Sequence, residues 1–226
     1  MSTLMSYLEQ REQLHARLAD QAPAALLDGF AAAAQRLDAV DFAARAPRVG
    51  DEAPDFALAD QHGDEVWLSA LLRGGPALGR GGPVVLIFYR GEWCPYCNLQ
   101  LRAFQANLAQ LAEHRAQLVA ISPQTPDHSL SMAEKNDLEF VVLSDVGAQV
   151  IDRYGLRYEV DDETRVLFES VGNDLDTHNG AGHWVLPAAA AFVIDRRGIV
   201  RYVNVRGDWR ERAEPADVLT VLTQLP

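Results

Sequence analysis

Cysteine, basic charge and long apolar runs are all scarce in this sequence. Its 226 residues include only two cysteines, and both fall in one short motif. That excludes a secreted domain stapled by scattered disulfides. Lys plus Arg number 20 against 32 Asp plus Glu, a formal net charge of -12. A field of that sign repels phosphate backbones and anionic lipid, so neither nucleic acid nor a membrane is an expected partner. No run is long enough to span a bilayer, and the opening "MSTLMSYLEQREQLHARLAD" carries charges throughout, where a signal peptide needs a continuous apolar core. A soluble protein of the cytoplasm is the expectation.

The length suits one well-buried domain with an extension. Residues 1–47 read as a helical N-terminal extension: Leu4, Leu8, Leu14 and Leu18 recur near helical spacing, and an Ala-rich segment follows Pro23. Two uses of these helices stand open, packing on their own domain or a homodimer contact. Pro47, Gly50 and Pro54 interrupt the pattern, and the main domain is expected over 48–226. There, apolar strands at 84–89, 118–122, 140–143, 191–194 and 200–205 alternate with helical patterns at 97–115, 127–137, 148–154 and 215–224. Such alternation predicts an α/β fold, with helices flanking a central sheet. "DRRG" at 195–198 reads as a hairpin turn, which makes the sheet mixed. The glycine-rich segment at 74–83 lacks the Lys-Ser or Lys-Thr ending of a phosphate-binding loop and reads as a connector.

Both cysteines lie in "FYRGEWCPYCNLQL", behind an apolar strand and ahead of a helix whose first turn suits Pro95. A thiol at a helix N-terminus faces unpaired N–H groups and the positive end of the helix dipole, and Arg90 adds a cation. Cys94 is therefore expected to be the nucleophilic thiolate, with Cys97 one turn further in and able to close a disulfide with it. A zinc half-site, an inert buried pair and an iron–sulfur ligand set are the competing readings. The six histidines show no ligand spacing beside a second cysteine pair, so no metal and no cofactor are expected. Three neighbouring features stay open: Glu92 as a proton handler or an exposed carboxylate, His178 and His183 as ligands or ordinary loop residues, and Arg212 as a surface residue or one that approaches the cysteines.

"VGDEAPDFALAD", "VLIFYRGEWCPYCNLQLRAFQ", "LVAISPQTPDHS", "LSDVGAQVIDRYGL" and "FVIDRRGIV" occur in that order. Together they resemble the peroxiredoxin-like branch of the alkyl hydroperoxide reductase C and thiol-specific antioxidant family, in the thioredoxin superfamily. The resemblance implies a thioredoxin-like fold and thiol-dependent reduction of hydroperoxides. Cys94 would become a sulfenic acid, Cys97 would resolve it, and a thioredoxin-like or glutaredoxin-like dithiol would supply electrons. Cys94, Cys97 and Arg90 are the implied catalytic residues, and Trp93, Pro95 and Tyr96 the implied substrate contacts. The chain departs from the family pattern where Gly91 is expected to occupy a Thr position, Arg90 a Pro position, and Ala189 the position of a second Pro or an activating Arg. A thiol-disulfide oxidoreductase acting on protein disulfides, or a redox-sensing binding protein, is the alternative function.

Overall fold

The computed structural model describes residues 6–75 and 79–225. It begins with α1 (Tyr7–Gln21) and α2 (Ala24–Asp38). The first free N–H groups of α1 need acceptors, and Glu214 supplies them from the far end of the chain, taking Tyr7 N–H at 3.1 Å and Leu8 N–H at 2.6 Å. Tyr7, Leu14, Ala33 and Ala34 then enter a hydrophobic cluster shared with the rest of the chain. The extension thus spends its apolar faces on its own molecule, the first of the two uses the sequence left open.

The remaining elements follow as β1 (Ala57–Asp60), β2 (Glu65–Trp67), α3 (Leu68–Arg73), β3 (Gly74–Gly75), β4 (Gly79–Arg80), β5 (Val84–Phe88), α4 (Pro95–Ala106) and α5 (Leu108–Glu113). After them come β6 (Gln117–Ser122), α6 (Pro126–Lys135), β7 (Val141–Ser144), α7 (Gln149–Arg153), β8 (Arg157–Glu159), α8 (Asp162–Ser170), α9 (Leu175–Asn179), β9 (Val185–Pro187), β10 (Ala189–Ile194), β11 (Val200–Arg206) and α10 (Pro215–Leu222). The main sheet has the order β11-β10-β5-β6-β7-β1-β2. Its β5, β6 and β7 run parallel, and the flanking strands are antiparallel. The period of two along β5 divides the core: Val85 and Ile87 join the cluster under α1, α2 and α4, and Val84, Leu86 and Phe88 join the opposite one with Phe192 and Tyr154.

All five expected strands are present. The helix expected over 97–115 is divided at Asn107, whose side-chain amide donates back to Ala103 O at 2.7 Å. "DRRG" turns as expected, with Asp195 Oδ1 accepting the N–H groups of Arg197 and Ile199 and Gly198 at φ 83°. Of the connector, Gly74–Gly75 pairs with Gly79–Arg80, and 76–78 lie outside the described residues. The sequence reading missed α8, although Asp161 caps it by accepting Thr164 N–H at 2.7 Å. That omission matters, because α8 carries one wall of the site.

Removing the carboxylate that holds α1 in place should cost stability without unfolding the sheet. Glu214→Ala is expected to lower the unfolding free energy by about 1 kcal/mol in urea, the usual scale for a lost helix cap. An unchanged midpoint would mean that α1 is held by its apolar contacts alone.

Candidate active site

The parallel strands end together, and at the carboxyl end of β5 the chain leaves the sheet into the cysteine loop. Tyr89 N–H continues the pairing to Ile121 O at 3.0 Å. The loop that follows is pinned at both ends: Glu92 N–H donates to Gln124 Oε1 at 2.8 Å, and Asn98 Nδ2 donates to the carbonyls of Glu92 and Cys94 at 2.7 and 2.8 Å. Cys94 is the N-cap of α4 in an extended conformation, with Pro95 in the first turn. A Cβ on Gly91 would stand 2.4 Å from Trp93 Nε1, so a threonine there would displace the indole.

The surroundings distinguish the two thiols in the sense opposite to the helix-terminus expectation. Cys94 caps its helix in position only, because its sulfur accepts no cap hydrogen bond. The donors converge on Cys97 instead: Arg90 N–H and Arg212 Nη2 both lie 3.4 Å from its Sγ. Both sulfurs are buried, at 1% and 0% exposure. Burial would push Cys97 up, but the hydrogen bond from Cys94, the charges of Arg212 and Arg90 and the Arg90 N–H outweigh it and hold Cys97 well below the usual thiol range. At Cys94, burial, the hydrogen bond it gives to Cys97 and the charge on Cys97 raise the thiol well above that range, against the weaker pull of the arginines. The donors gather on Cys97, so charge is favoured there and the proton on Cys94. The position three residues before the thiolate, where the family pattern has threonine, then falls on Cys94 and not on Gly91. A sulfhydryl donor stands there in place of a hydroxyl.

The cations are held without carboxylates. Arg90 is 2% exposed, and its guanidinium carbon lies 4.4, 4.8 and 5.0 Å from the ring centroids of Trp209, Trp93 and Phe168. Its Nε and Nη2 have no hydrogen-bond partner. Arg212 donates from Nε to Trp209 O at 2.7 Å and reaches Gln100 Oε1 at 3.4 Å. Ala189, where the family's second Pro or activating Arg was expected to fall, is buried in β10 opposite Arg206, and Arg212 reaches the sulfur, the second of the two options left open for it.

Above this pair lies a cavity of about 490 Å³. Leu18, Leu26 and Phe30 of α1 and α2 roof it, Phe168 of α8 walls it, and Arg90 and Cys94 lie on its floor. Trp93, Pro95 and Tyr96, the implied substrate contacts, line it, and His15 meets Tyr96 edge-on at 5.6 Å between ring centroids. Cys97 lies behind Cys94. Gln100, Phe30 and Phe168 escaped the sequence reading; the capping signature at Asp161 was the one available sign that Phe168 sits on a helix. Glu92 is not the exposed carboxylate that was one option, since its side chain is 12% exposed and packs against His128.

A sequence model of the AhpC/TSA family matches residues 49–203. "Peroxiredoxin Q, chloroplastic" of Triticum aestivum is 29% identical over 154 residues, which are 68% of this chain and 57% of that protein. "Peroxiredoxin Bcp" of Escherichia coli (strain K12) is 31% identical over 109 residues, 48% of this chain and 65% of that one. The chain therefore spans less than two thirds of the length of either relative. Among solved structures, "Peroxidoxin BcpB" from Mycobacterium tuberculosis superposes with a TM-score of 0.60 at 26% identity, covering 80% of this chain and 99% of that one. A peroxiredoxin-like protein from Aquifex aeolicus, at 0.59 and 19% identity, shares the fold. That fold is thioredoxin-like.

The two thiols should leave opposite marks on stability under reducing conditions. Cys97 titrates lower in the folded than in the unfolded chain, so its contribution is complete above the unfolded value of about 8.5 and disappears as pH falls through the folded value. Cys94 titrates higher when folded, so stability should fall as pH rises above about 8.5. Urea unfolding against pH should show Cys97→Ser losing the rise and Cys94→Ser losing the fall, each with a slope of at most about 1.4 kcal/mol per pH unit. Thiolate ultraviolet absorbance should vanish at neutral pH in Cys97→Ser only. The opposite pattern would return the thiolate to Cys94.

Proposed function

The chain belongs to the AhpC/TSA family, and from that premise we propose that it reduces hydroperoxides with thiol electrons passed through Cys97 and Cys94. One observation carries the reading: the buried Arg90 guanidinium, with two unpartnered nitrogens, lies on the floor of a largely apolar cavity, and the backbone N–H of the same residue contacts the Cys97 sulfur. Donors left idle in a buried site cost free energy unless a substrate oxygen uses them.

The hydroperoxide enters the cavity with its O–O group against Arg90, and the Cys94 side chain turns aside to let the terminal oxygen reach Cys97 behind it. The Cys97 thiolate attacks the terminal oxygen, the O–O bond breaks, and the departing alkoxide takes the proton that Cys94 holds, leaving Cys97 sulfenic acid and an alcohol. Arg90 and Arg212 stabilise the negative charge as it moves from sulfur to oxygen. Cys94, now a thiolate, attacks the sulfenic sulfur, which releases its oxygen as water after protonation from solvent and closes the Cys94–Cys97 disulfide. An external dithiol of thioredoxin-like or glutaredoxin-like kind restores both thiols. A reducing compartment such as the cytoplasm suits a pair renewed in this way.

The roof selects the substrate. Leu18, Leu26 and Phe30 offer a hydrocarbon body apolar burial that hydrogen peroxide cannot use, so organic hydroperoxides are the favoured class. The competing reading, reduction of protein disulfides, requires a sulfur presented to a protein surface. Sulfurs at most 1% exposed, beneath two packed helices, oppose it.

Stopped-flow consumption of cumene hydroperoxide tests the assignment. Wild type and Cys94→Ser should each show a fast first phase, with a dimedone-trappable sulfenic acid persisting in the latter, and Cys97→Ser should show none. Arg90→Met should slow that phase by roughly 10²-fold, the usual effect of removing one preorganised donor. Ala31→Phe, which fills the cavity, should slow cumene hydroperoxide more than hydrogen peroxide. A fast phase lost only in Cys94→Ser would reverse the cysteine roles, and its absence in the wild type would overturn the function.

A further inference from the structure

On the side of the cysteine loop away from the cavity, three side chains from distant parts of the sequence converge. Glu92 belongs to the loop itself, His128 to α6 and His178 to α9. Glu92 Oε1 lies 2.5 Å from His128 Nδ1 and 3.5 Å from His178 Nδ1, and the two imidazole centroids are 4.6 Å apart at 59°. One potential ligand atom from each residue lies within 4.8 Å of the others.

The hydrogen bonding around this cluster sets which atoms face its centre. His128 Nε2 lies 3.1 Å from the carbonyl oxygen of Thr177. A carbonyl only accepts, so Nε2 donates to it, which leaves Nδ1 as the ring atom that faces the Glu92 carboxylate. His178 Nδ1 faces the same carboxylate, is shielded from solvent and has no hydrogen-bond partner. The Lys135 ammonium stands at the Glu92 backbone carbonyl, at 3.4 Å, and not at the carboxylate.

We propose that Glu92, His128 and His178 bind a divalent first-row transition-metal ion of the zinc class. Two imidazole nitrogens and one carboxylate oxygen form a donor set for such an ion and not for calcium or magnesium, which take oxygen. The Thr177 carbonyl behind His128 is the outer contact that orients a ligating imidazole. Side-chain exposures of 12%, 21% and 17% leave room for an ion to enter and for water to complete its coordination. The site departs from the expectation of no metal, which rested on the search for ligands beside the cysteines. Because Glu92 is two residues from Cys94, a bound ion would tie the active-site loop to α6 and α9. The inference does not depend on the identity of the substrate.

Calorimetric titration with Zn²⁺, and Co²⁺ absorption spectra, test the site on the full chain and on the Cys94→Ser/Cys97→Ser double variant. One ion per chain should bind to both, and cobalt should give visible ligand-field bands without thiolate charge transfer. Glu92→Gln and His178→Ala, checked for folding by circular dichroism, should each lose the isotherm. No binding to the wild type would overturn the proposal and leave a proton between Glu92 and His128. Binding that survives both ligand substitutions but disappears in the double cysteine variant would overturn it in favour of the thiols.

Discussion

The charge balance at Cys97 is the constraint around which the site is arranged. Arg90 and Arg212 are both buried beside one sulfur, which takes the Arg90 backbone N–H and the Arg212 guanidinium, and among the described residues neither side chain is paired with a carboxylate. Buried cations need compensation, and here it comes from aromatic faces around Arg90, carbonyl and amide oxygens around Arg212, and the thiolate itself. This arrangement requires Trp93 from the loop, Phe168 from α8 and the segment from Trp209 to Arg212 to meet at the end of β5. Charge on Cys97 and positive charge on the arginines therefore sustain each other, and each would be costly alone.

Helix-terminus reasoning placed the thiolate on Cys94, and it did so on a sound local principle. The dipole field is worth a fraction of a kcal/mol to about 2 kcal/mol, whereas two charge-assisted contacts in a dry interior are individually of that size or larger. Their effect is to make two similar thiols unlike, the donors favouring charge on Cys97 and burial favouring the proton on Cys94. A reaction that needs both a nucleophile and a proton source finds them one helical turn apart.

The N-terminal helices connect this chemistry to recognition. Glu214 fixes the start of α1, and the apolar faces of α1 and α2 close over Cys94 without filling the space beneath them. The same loop then has two faces. Cys94 looks into the cavity, while Glu92 turns toward the imidazoles of α6 and α9. Gln124 and Asn98 hold the backbone between them, so neither face can shift without the other.

Much was legible in the sequence because it is encoded locally. The apolar strands, the turn at Asp195–Gly198, Pro95 at the start of α4 and the paired cysteines each carry their signal within a few residues, and short-range sterics and hydrogen bonding dictate the outcome. The order in which motifs recur was enough for the fold and for the family. What the chain could not announce is which residues meet. Arg212 reaches Cys97, Phe168 reaches Arg90, and His128 and His178 reach Glu92 only after the sheet has assembled and brought its loops to one edge. Thiol acidity, cavity shape and ligand geometry depend on distances of a few ångströms between residues far apart in the chain. Only tertiary packing sets those distances.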